Sequence, residues 1–174
     1  MGATEPLEVL RQRSARLWQE KKWAEAEEVD REGLAMARAH EGEEGRFVSE
    51  QLIRLAQTLI RGGKFAEAEE LARACLAMRP KYHNADDWQM PDTRMVIGHS
   101  LLGQGRLEEA ETLLVSAYEQ YRPEGGPLRT ANHARFTAEL YQAANLPDKA
   151  AEWNRRAAEA TTQTSDAPPA VRAL

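Results

Sequence analysis

Histidine and cysteine side chains most readily bind metals or act as base and nucleophile. This sequence contains four histidines and one cysteine. The histidines are His40, His83, His99 and His133, and the cysteine is Cys75. No two of the histidines lie three or four residues apart, the spacing that places two ligands on one face of a helix. The sequence therefore predicts no metal site and no cofactor.

Glutamate pairs are the next candidates, because paired carboxylates can act as general acid and base. They recur in "AEAEE" at residues 24–28 and 66–70 and in "EEAE" at residues 108–111. Such a recurrence is typical of a charged helix face, and we expect these glutamates to face solvent. No G-x-S-x-G phrase marks a serine nucleophile either. We therefore predict a protein that is not an enzyme.

The composition is that of a mildly acidic, soluble protein. The chain has 174 residues, of which 42% are hydrophobic and 29% charged, and its net charge is −5. An acidic balance disfavours binding to nucleic acid, which needs a basic face. No apolar run approaches the ~20 residues that cross a bilayer, and the first residues lack a secretory signal pattern. One cysteine cannot form a disulfide within the chain. We expect a cytoplasmic protein that binds neither nucleic acid nor a membrane.

The elements that hold these residues repeat every 42 positions. Ala, Leu, Glu, Arg and Gln are abundant, which favours helices, and no long stretch alternates with the period of a strand. Trp23, Phe65 and Leu107 are spaced by 42 residues, and an alanine follows three residues after each, at positions 26, 68 and 110. A fourth copy follows after a two-residue deletion, with Ala150 in the alanine column. The fold class is therefore all-α, built from four helical hairpins.

Small residues within each hairpin predict where its two helices touch. Twelve residues before each alanine lies a second small residue: Ser14, Ala56, Gly98 and Ala138. Cys75 lies in another core column of small residues, which predicts a buried side chain without a catalytic role. We expect turns near residues 20–23, 62–64, 103–106 and 144–147, where Gly63, Gly105 and Asn145 supply left-handed backbone. Longer connections are expected near residues 40–45, 81–90 and 122–129.

These columns resemble those of the tetratricopeptide repeat, in which small and large apolar residues alternate along two packed helices. The usual repeat of that family has ~34 residues, whereas the longer connections here are similar to those of kinesin-light-chain repeats. Residues 88–157 are also similar to the last repeats of bacterial arrays that follow serine/threonine kinase domains. The resemblance covers residues 5–160 and implies a right-handed α-solenoid with a concave groove that binds a protein or peptide.

The ends of the array are expected to differ from its middle. Four polar residues occupy apolar columns of the first and last repeats, as expected of ends that face water: Arg13, Asp30, Thr137 and Asn154. We predict a repeat domain over residues 1–160, with repeats at about 5–40, 46–80, 91–122 and 130–160. Residues 161–174 have two prolines and no apolar periodicity, which predicts a disordered tail.

The resemblance implies that three columns of the first helices line the groove. Their members here are Arg11, Trp18, Ile53, Gln57, Met95, His99, Arg135, Glu139 and Gln142. We expect Gln57, His99, Arg135 and Glu139 to be exposed, and protonation of His99 near pH ~6.5 to tune binding. For Ile53 and Met95, as for Ile60 and Leu102, packing against neighbouring helices is an equal alternative.

Trp88, in the acidic connection "NADDWQMPDT", either covers the seam between repeats two and three or contacts a partner. The seam is the preferred interpretation, because long connections usually fold back onto an array. The function indicated by the whole pattern is a scaffold that binds a segment of another protein. Self-assembly into a homodimer and a regulatory role within a larger signalling protein are the alternatives.

Overall fold

The computed structural model describes residues 4–83, 87–121 and 126–162, and within them the chain is helical and contains no strand. The helices are α1 (Thr4–Gln19), α2 (Trp23–Glu41), α3 (Arg46–Arg61), α4 (Phe65–Met78), α5 (Gln89–Gly103), α6 (Leu107–Tyr121), α7 (Pro127–Ala143) and α8 (Pro147–Thr162), with one 3₁₀ turn at Arg79–Lys81. In that part of the chain, no helix is both long and apolar enough to cross a membrane. The predicted all-α solenoid of helical repeats is confirmed.

Each tight turn within a hairpin lies where the period predicts it, and the same backbone geometry recurs in all four. The left-handed residue has a φ of 78° at Gly63, 77° at Gly105 and 60° at Asn145, as predicted. In the first repeat, the equivalent position holds Lys21, whose φ is 56°. The sequence does not reveal this fourth member, because lysine rarely adopts that conformation. The fold therefore imposes the same turn on all four repeats, including the one without a suitable residue.

The helix pairs pack through the predicted small columns. Ala26, Ala68 and Ala110 are fully buried, and Ala150 is nearly so. A Cβ added to Gly98 of α5 would lie 2.6 Å from Cγ of the buried Leu114 of α6. The two helices approach this closely because the residue has no side chain. The α3 helix also packs against α5, and α5 against α7, so the first helices form one continuous layer.

Most glutamates of the recurring phrase are exposed, as expected: Glu25, Glu28, Glu70, Glu108 and Glu109. Glu27, Glu69 and Glu111 are instead partly or fully buried. One glutamate of each of the first three second helices pairs with a basic residue in the tight turn, or at the start of the second helix, of the next hairpin. The pairs are Glu27–Lys64 (2.8 Å), Glu69–Arg106 (2.9 Å) and Glu111–Lys149. The reason is geometric, because each of these glutamates lies beside the tight turn of the next hairpin. We call these three pairs the glutamate ladder.

Two of the four polar residues in the end repeats, Asp30 and Thr137, are buried, and the other two are exposed. The expectation that all four face water is therefore wrong for half of them. Asp30, which is 2% exposed, pairs with Arg54 Nε at 3.0 Å. Thr137 Oγ1 lies 2.8 Å from His99 Nε2. Each is satisfied by a neighbouring repeat, which is what allows burial of a polar group.

The observed hairpins span residues 4–41, 46–78, 89–121 and 127–162. The connection predicted at 122–129 ends earlier than expected, because α7 begins at Pro127. Residues 122–125 lie outside the described residues. The predicted disordered tail also lies outside them, except for Thr161 and Thr162, which end α8.

Candidate functional site

The layer of first helices borders a cavity of about 610 Å³, which we call the arginine cavity. Helices α1, α3, α5 and α7 contribute to its walls, and Arg79, His83 and Trp88, between α4 and α5, also line it. Its charged lining includes Arg11, Glu50, Arg54, Arg79, Asp92 and Arg129. Four arginines against two carboxylates make the cavity electropositive, although the whole chain is acidic.

Arg54 is held in place from three sides. Its guanidinium pairs with the buried Asp30 and donates a 2.7 Å hydrogen bond to the backbone carbonyl of Arg11. The other Asp30 oxygen accepts a hydrogen bond from Thr58 Oγ1, which in turn accepts one of 2.9 Å from the indole of Trp18. This chain of bonds joins repeats one and two and neutralises the Arg54 charge.

Arg79 lies at the end of α4 and is only 4% exposed. Its Nε donates to Cys75 Sγ at 3.1 Å, and its Nη1 has no hydrogen-bond partner among the described residues. Burial raises the pKa of the Cys75 thiol more than the nearby Arg79 lowers it, so the sulfur carries no compensating charge at neutral pH. No ion pair of the described residues includes Arg79. A buried guanidinium without a counter-charge is rare in proteins.

Arg129 faces the cavity from α7 and stacks on Trp88, with its guanidinium carbon 4.3 Å from the ring centroid. Arg129 is exposed, and within the described residues it forms no ion pair. Trp88 also packs against the main hydrophobic core. The tryptophan thus packs on the array and forms a wall of the cavity as well. That it covers the seam between repeats two and three stays a prediction.

Two histidines connect α5 to α7 beside the cavity. His133 Nε2 lies 2.9 Å from Asp92 Oδ1, and His99 stacks on His133 with the ring centroids 5.8 Å apart. The Thr137 hydroxyl donates to the carbonyl of His133 and so accepts from His99 Nε2. Burial, followed by the charges of His133 and Arg61, lowers the pKa of His99 well below 6.5. His99 is therefore neutral at pH 7.

A smaller pocket of about 140 Å³ lies next to the arginine cavity, and we call it the aromatic pocket. Trp18 of α1 and Phe136 of α7 contribute to its lining, with Arg61 of α3 between them. The Arg61 guanidinium carbon lies 3.7 Å from the Phe136 ring centroid and 5.9 Å from that of Trp18. Arg61 also pairs with Glu139 at 3.2 Å. The Arg61 side chain therefore narrows the aromatic pocket.

The structure places the predicted groove residues in different surroundings, and Gln57, which was expected to be exposed, is half-buried. Arg11, Ile53 and Gln57 line the arginine cavity, and Trp18, Gln57 and His99 line the aromatic pocket. Arg135, Glu139 and Gln142 are exposed. Met95 is fully buried and lines neither cavity, and Leu102 is buried in the same way, which favours packing for these two.

The expectation that His99 is exposed is wrong, since the residue is 1% exposed. Its ring lies in the seam between α5 and α7, where it contacts Thr137 and Phe136. The centroids of the His99 and Phe136 rings are 4.9 Å apart. Its lowered pKa also contradicts titration near pH 6.5. His99 therefore contributes to the packing between repeats three and four.

The sequence interpretation misses Arg54, Arg79, Arg129 and Arg61. Arg54 falls two residues before the small Ala56, in a column that holds Val96 in the third repeat, so periodicity conceals it. Arg79 belongs to the connection, where the repeat has no shared pattern. A search for basic residues without an acidic neighbour at helix spacing could have found Arg61, Arg79 and Arg129, but not Arg54, which follows Glu50 by four residues.

The described residues also contain no group of three or more His, Cys, Asp and Glu side chains that could hold a metal ion. The side chains that line the two cavities include guanidinium, amide and aromatic groups.

Comparisons with known proteins agree with this architecture. One model of the tetratricopeptide repeat matches residues 90–163, and a second matches residues 49–88. Comparison with the curated proteins found no match.

Among solved structures, BtubC (BKLC) from P. vanneervenii is 14% identical, with a TM-score of 0.70, and the match covers 97% of this chain and 68% of that one. A Podospora anserina protein described as a putative kinesin light chain with nearly identical TPR-like repeats is 14% identical, with a TM-score of 0.57 and coverage of 93% and 98%. A single-substitution variant of that protein gives 15% identity, a TM-score of 0.58 and coverage of 96% and 100%. At this identity the structures show the fold alone. The chain belongs to the tetratricopeptide-repeat family, and its fold is similar to that of kinesin-light-chain-like repeats.

Proposed function

We propose that this protein is a scaffold whose first-helix layer binds an extended segment of another protein. Tetratricopeptide repeats generally mediate protein–protein interaction. The observation that carries the proposal is the arginine cavity, a concave space of about 610 Å³ with side chains from all four repeats. Its size lies within the range of about 300–1,000 Å³ that is usual for ligand sites.

The surroundings of the cysteine and of two histidines, the side chains that could act as nucleophile or base, support a non-enzymatic role. The Cys75 thiol is buried and its pKa is raised, which makes it a poor nucleophile. His99 is neutral and hydrogen-bonded inside a seam. His133 is engaged by Asp92. These groups have structural partners, and we infer that the cavity binds without reacting.

A protein partner suits the chain better than a nucleic acid or a membrane does. The net charge of −5 opposes phosphate polymers and anionic lipid surfaces, whereas the local positive charge of the cavity acts only at short range. We also propose a cytoplasmic location, in keeping with a single cysteine that is buried and free.

Site-specific photo-crosslinking tests this function. A benzophenone amino acid replaces Gln57, which borders both cavities, and the crosslinked partner segment is identified by mass spectrometry. The matched control carries the same group at Ala74, which is exposed on α4. We expect one defined segment to be captured from position 57 and not from position 74. Capture of the same segment from position 74 alone would place binding on the outer layer and contradict the proposal.

Self-assembly is the alternative that light scattering addresses. The large exposed hydrophobic residues among those described are Val9, Tyr82 and Leu128, and they lie on three different elements. A mass of 19.5 kDa at every concentration, corresponding to one chain, is the expected result. A dimer that persists on dilution would favour self-assembly. A regulatory role within a larger signalling protein is compatible with the same binding surface.

A further inference from the structure

We propose that the arginine cavity is a receptor for one carboxylate, the side chain of an aspartate or glutamate in the bound segment, and that Arg79 and Arg129 hold it. This inference rests on the proposed function, since it names the chemistry of the residue that enters the cavity. Arg79 lies at the end of a second helix, and Arg129 lies on the first helix α7 but outside the three columns identified in the sequence.

Arg79 gives the first argument. Its guanidinium is more than nine-tenths buried, borders the cavity and has an Nη1 group without a partner among the described residues. Desolvation of a cation is strongly unfavourable unless an opposite charge compensates it. Neither the neutral Cys75 thiol nor an acidic residue within 4.0 Å supplies that charge in the part of the chain that the structure describes. A ligand carboxylate would supply both the charge and the missing hydrogen-bond acceptor.

The charges of the cavity give the second argument, because the others are already paired within the chain. The ion pairs are Arg11 with Glu8, Arg54 with Asp30 and Arg46 with Glu50, and Asp92 lies within hydrogen-bond distance of His133. Arg79 and Arg129 remain. The carboxylates of Glu50 and Asp92, which also line the cavity, would repel a phosphate dianion more strongly than a monovalent carboxylate.

Arg129 is already oriented for this task. A guanidinium stacks on an aromatic ring by its face and donates hydrogen bonds from its edge. With its face on Trp88, the edge of Arg129 stays available, and stacking restricts the side chain before binding. Less conformational entropy is then lost when the carboxylate arrives.

Gln89 indicates that the anion belongs to a peptide. Its Oε1 is buried, borders the same cavity and has no hydrogen-bond partner among the described residues. The cavity thus contains an unused donor on Arg79 and an unused acceptor on Gln89. A simple inorganic anion offers acceptors only, whereas a peptide offers a carboxylate and backbone N–H groups together.

The test is a selection from a random library of short peptides displayed on phage, carried out in parallel on the wild type, Arg79→Gln, Arg129→Gln and Arg135→Gln. Arg135 is exposed on α7 and lines neither cavity, so it is the control. We expect an aspartate or glutamate at one position of the peptides selected by the wild type and by Arg135→Gln. We expect this preference to disappear with Arg79→Gln and with Arg129→Gln.

A selected peptide is then compared with its Asn or Gln counterpart by isothermal titration. The neutral peptide should bind the wild type at least tenfold more weakly, and it should bind Arg129→Gln as well as it binds the wild type. Because Arg79 is buried, circular dichroism checks that its variant folds, and the exposed Arg129 keeps the test decisive if that variant does not.

Three results would overturn the inference. Selected peptides without an acidic position would leave peptide binding intact but reject the carboxylate receptor. Tighter binding of a phosphoserine version than of the acidic peptide would assign the cavity to a phosphoryl group. If no peptide is enriched on the wild type, the proposed peptide-binding function fails together with this inference.

Discussion

Arg61 of the second repeat lies over Phe136 of the fourth, with its guanidinium carbon 3.7 Å from the ring centroid. This contact passes over the third repeat and joins helices that are not neighbours in the chain. Repeat arrays are usually stabilised by contacts between adjacent units only. A link across one repeat couples the stability of the last hairpin to that of the second.

We therefore expect Arg61→Met to loosen the fourth repeat selectively. The change removes the cation–π contact and the ion pair with Glu139, and we expect it to lower the free energy of unfolding by about 1 kcal/mol. Hydrogen exchange should accelerate in α7 and α8 more than in α3, where the substitution lies. Arg135→Met, on the exposed face of α7, is the control. Equal acceleration in all helices would contradict the coupling.

Lys21→Gly should stabilise the protein. A left-handed lysine is disfavoured by about 1–2 kcal/mol, whereas glycine adds roughly 0.5–1 kcal/mol of entropy loss on folding. The net gain in the free energy of unfolding should be about 0.5–1 kcal/mol, measured by urea denaturation. Gly63→Ala is the reciprocal control at the equivalent turn, where a Cβ meets no atom within 4 Å. It should destabilise through backbone strain alone, and a gain in stability there would contradict the argument.

Stability should fall as the pH drops below about 6.5, because the pKa of His99 is lowered in the folded protein. Between the folded and unfolded pKa values the unfolded chain binds more protons, so acid favours unfolding, by up to about 1.4 kcal/mol for each pH unit. Burial is the main cause, and His133, Arg61 and the Asp92 partner of His133 are the charged groups around the ring.

Urea titrations at about pH 7.5, 6.5 and 5.5 measure this slope. His99→Gln should be less stable at the highest of these pH values but show a shallower dependence on pH. His40→Gln, at an exposed site on α2, should keep the slope of the wild type. An unchanged slope in His99→Gln would assign the effect to other groups.

Glu69→Gln tests the glutamate ladder. The glutamate side chain is 12% exposed, and this burial alone would raise its pKa. Hydrogen bonds from Gln104 and Arg73, together with the charges of Arg73 and Arg106, outweigh burial, so the pKa of Glu69 is lowered. We expect a loss of about 1–2 kcal/mol at pH 7, because the hydrogen bonds involve charged groups.

The sign of the pH dependence gives a second measurement. A lowered carboxyl pKa stabilises the fold above about pH 4.5, and this contribution disappears as the pH falls through the folded value. The difference between Glu69→Gln and the wild type should therefore shrink in acid. Glu108→Gln, exposed on α6, should change stability by less than about 0.5 kcal/mol. A similar loss in both variants would argue against the ladder.

The helices and their turns could be predicted from the sequence because they depend on contacts that every repeat shares. Ala68 and Ala110 fulfil the same steric requirement, and so do Gly63 and Gly105. Repetition makes such requirements visible in a single chain.

The candidate site could be predicted only in part, because it consists of residues that the repeats do not share. Arg79 belongs to a connection, and Arg129 acts through a tryptophan that lies 41 positions earlier in the sequence. His99 shares its column with Gln57 but not its exposure, since only His99 meets a threonine on the next first helix. These contacts depend on single side chains, and periodicity carries no information about them.

The buried Asp30–Arg54 pair bears on how the chain avoids assembling its hairpins in the wrong order. Four similar hairpins could stack out of sequence during folding, as happens in misassembled repeat proteins. If α2 packed on α5 instead of α3, the position equivalent to Arg54 would be Val96, and Asp30 would be buried without a counter-charge. Such an arrangement is disfavoured by several kcal/mol. Asp30, the carboxylate in an otherwise mostly apolar column, thus favours packing of α2 on α3 over packing on the similar helix α5. The pair therefore helps to fix the order in which the repeats stack.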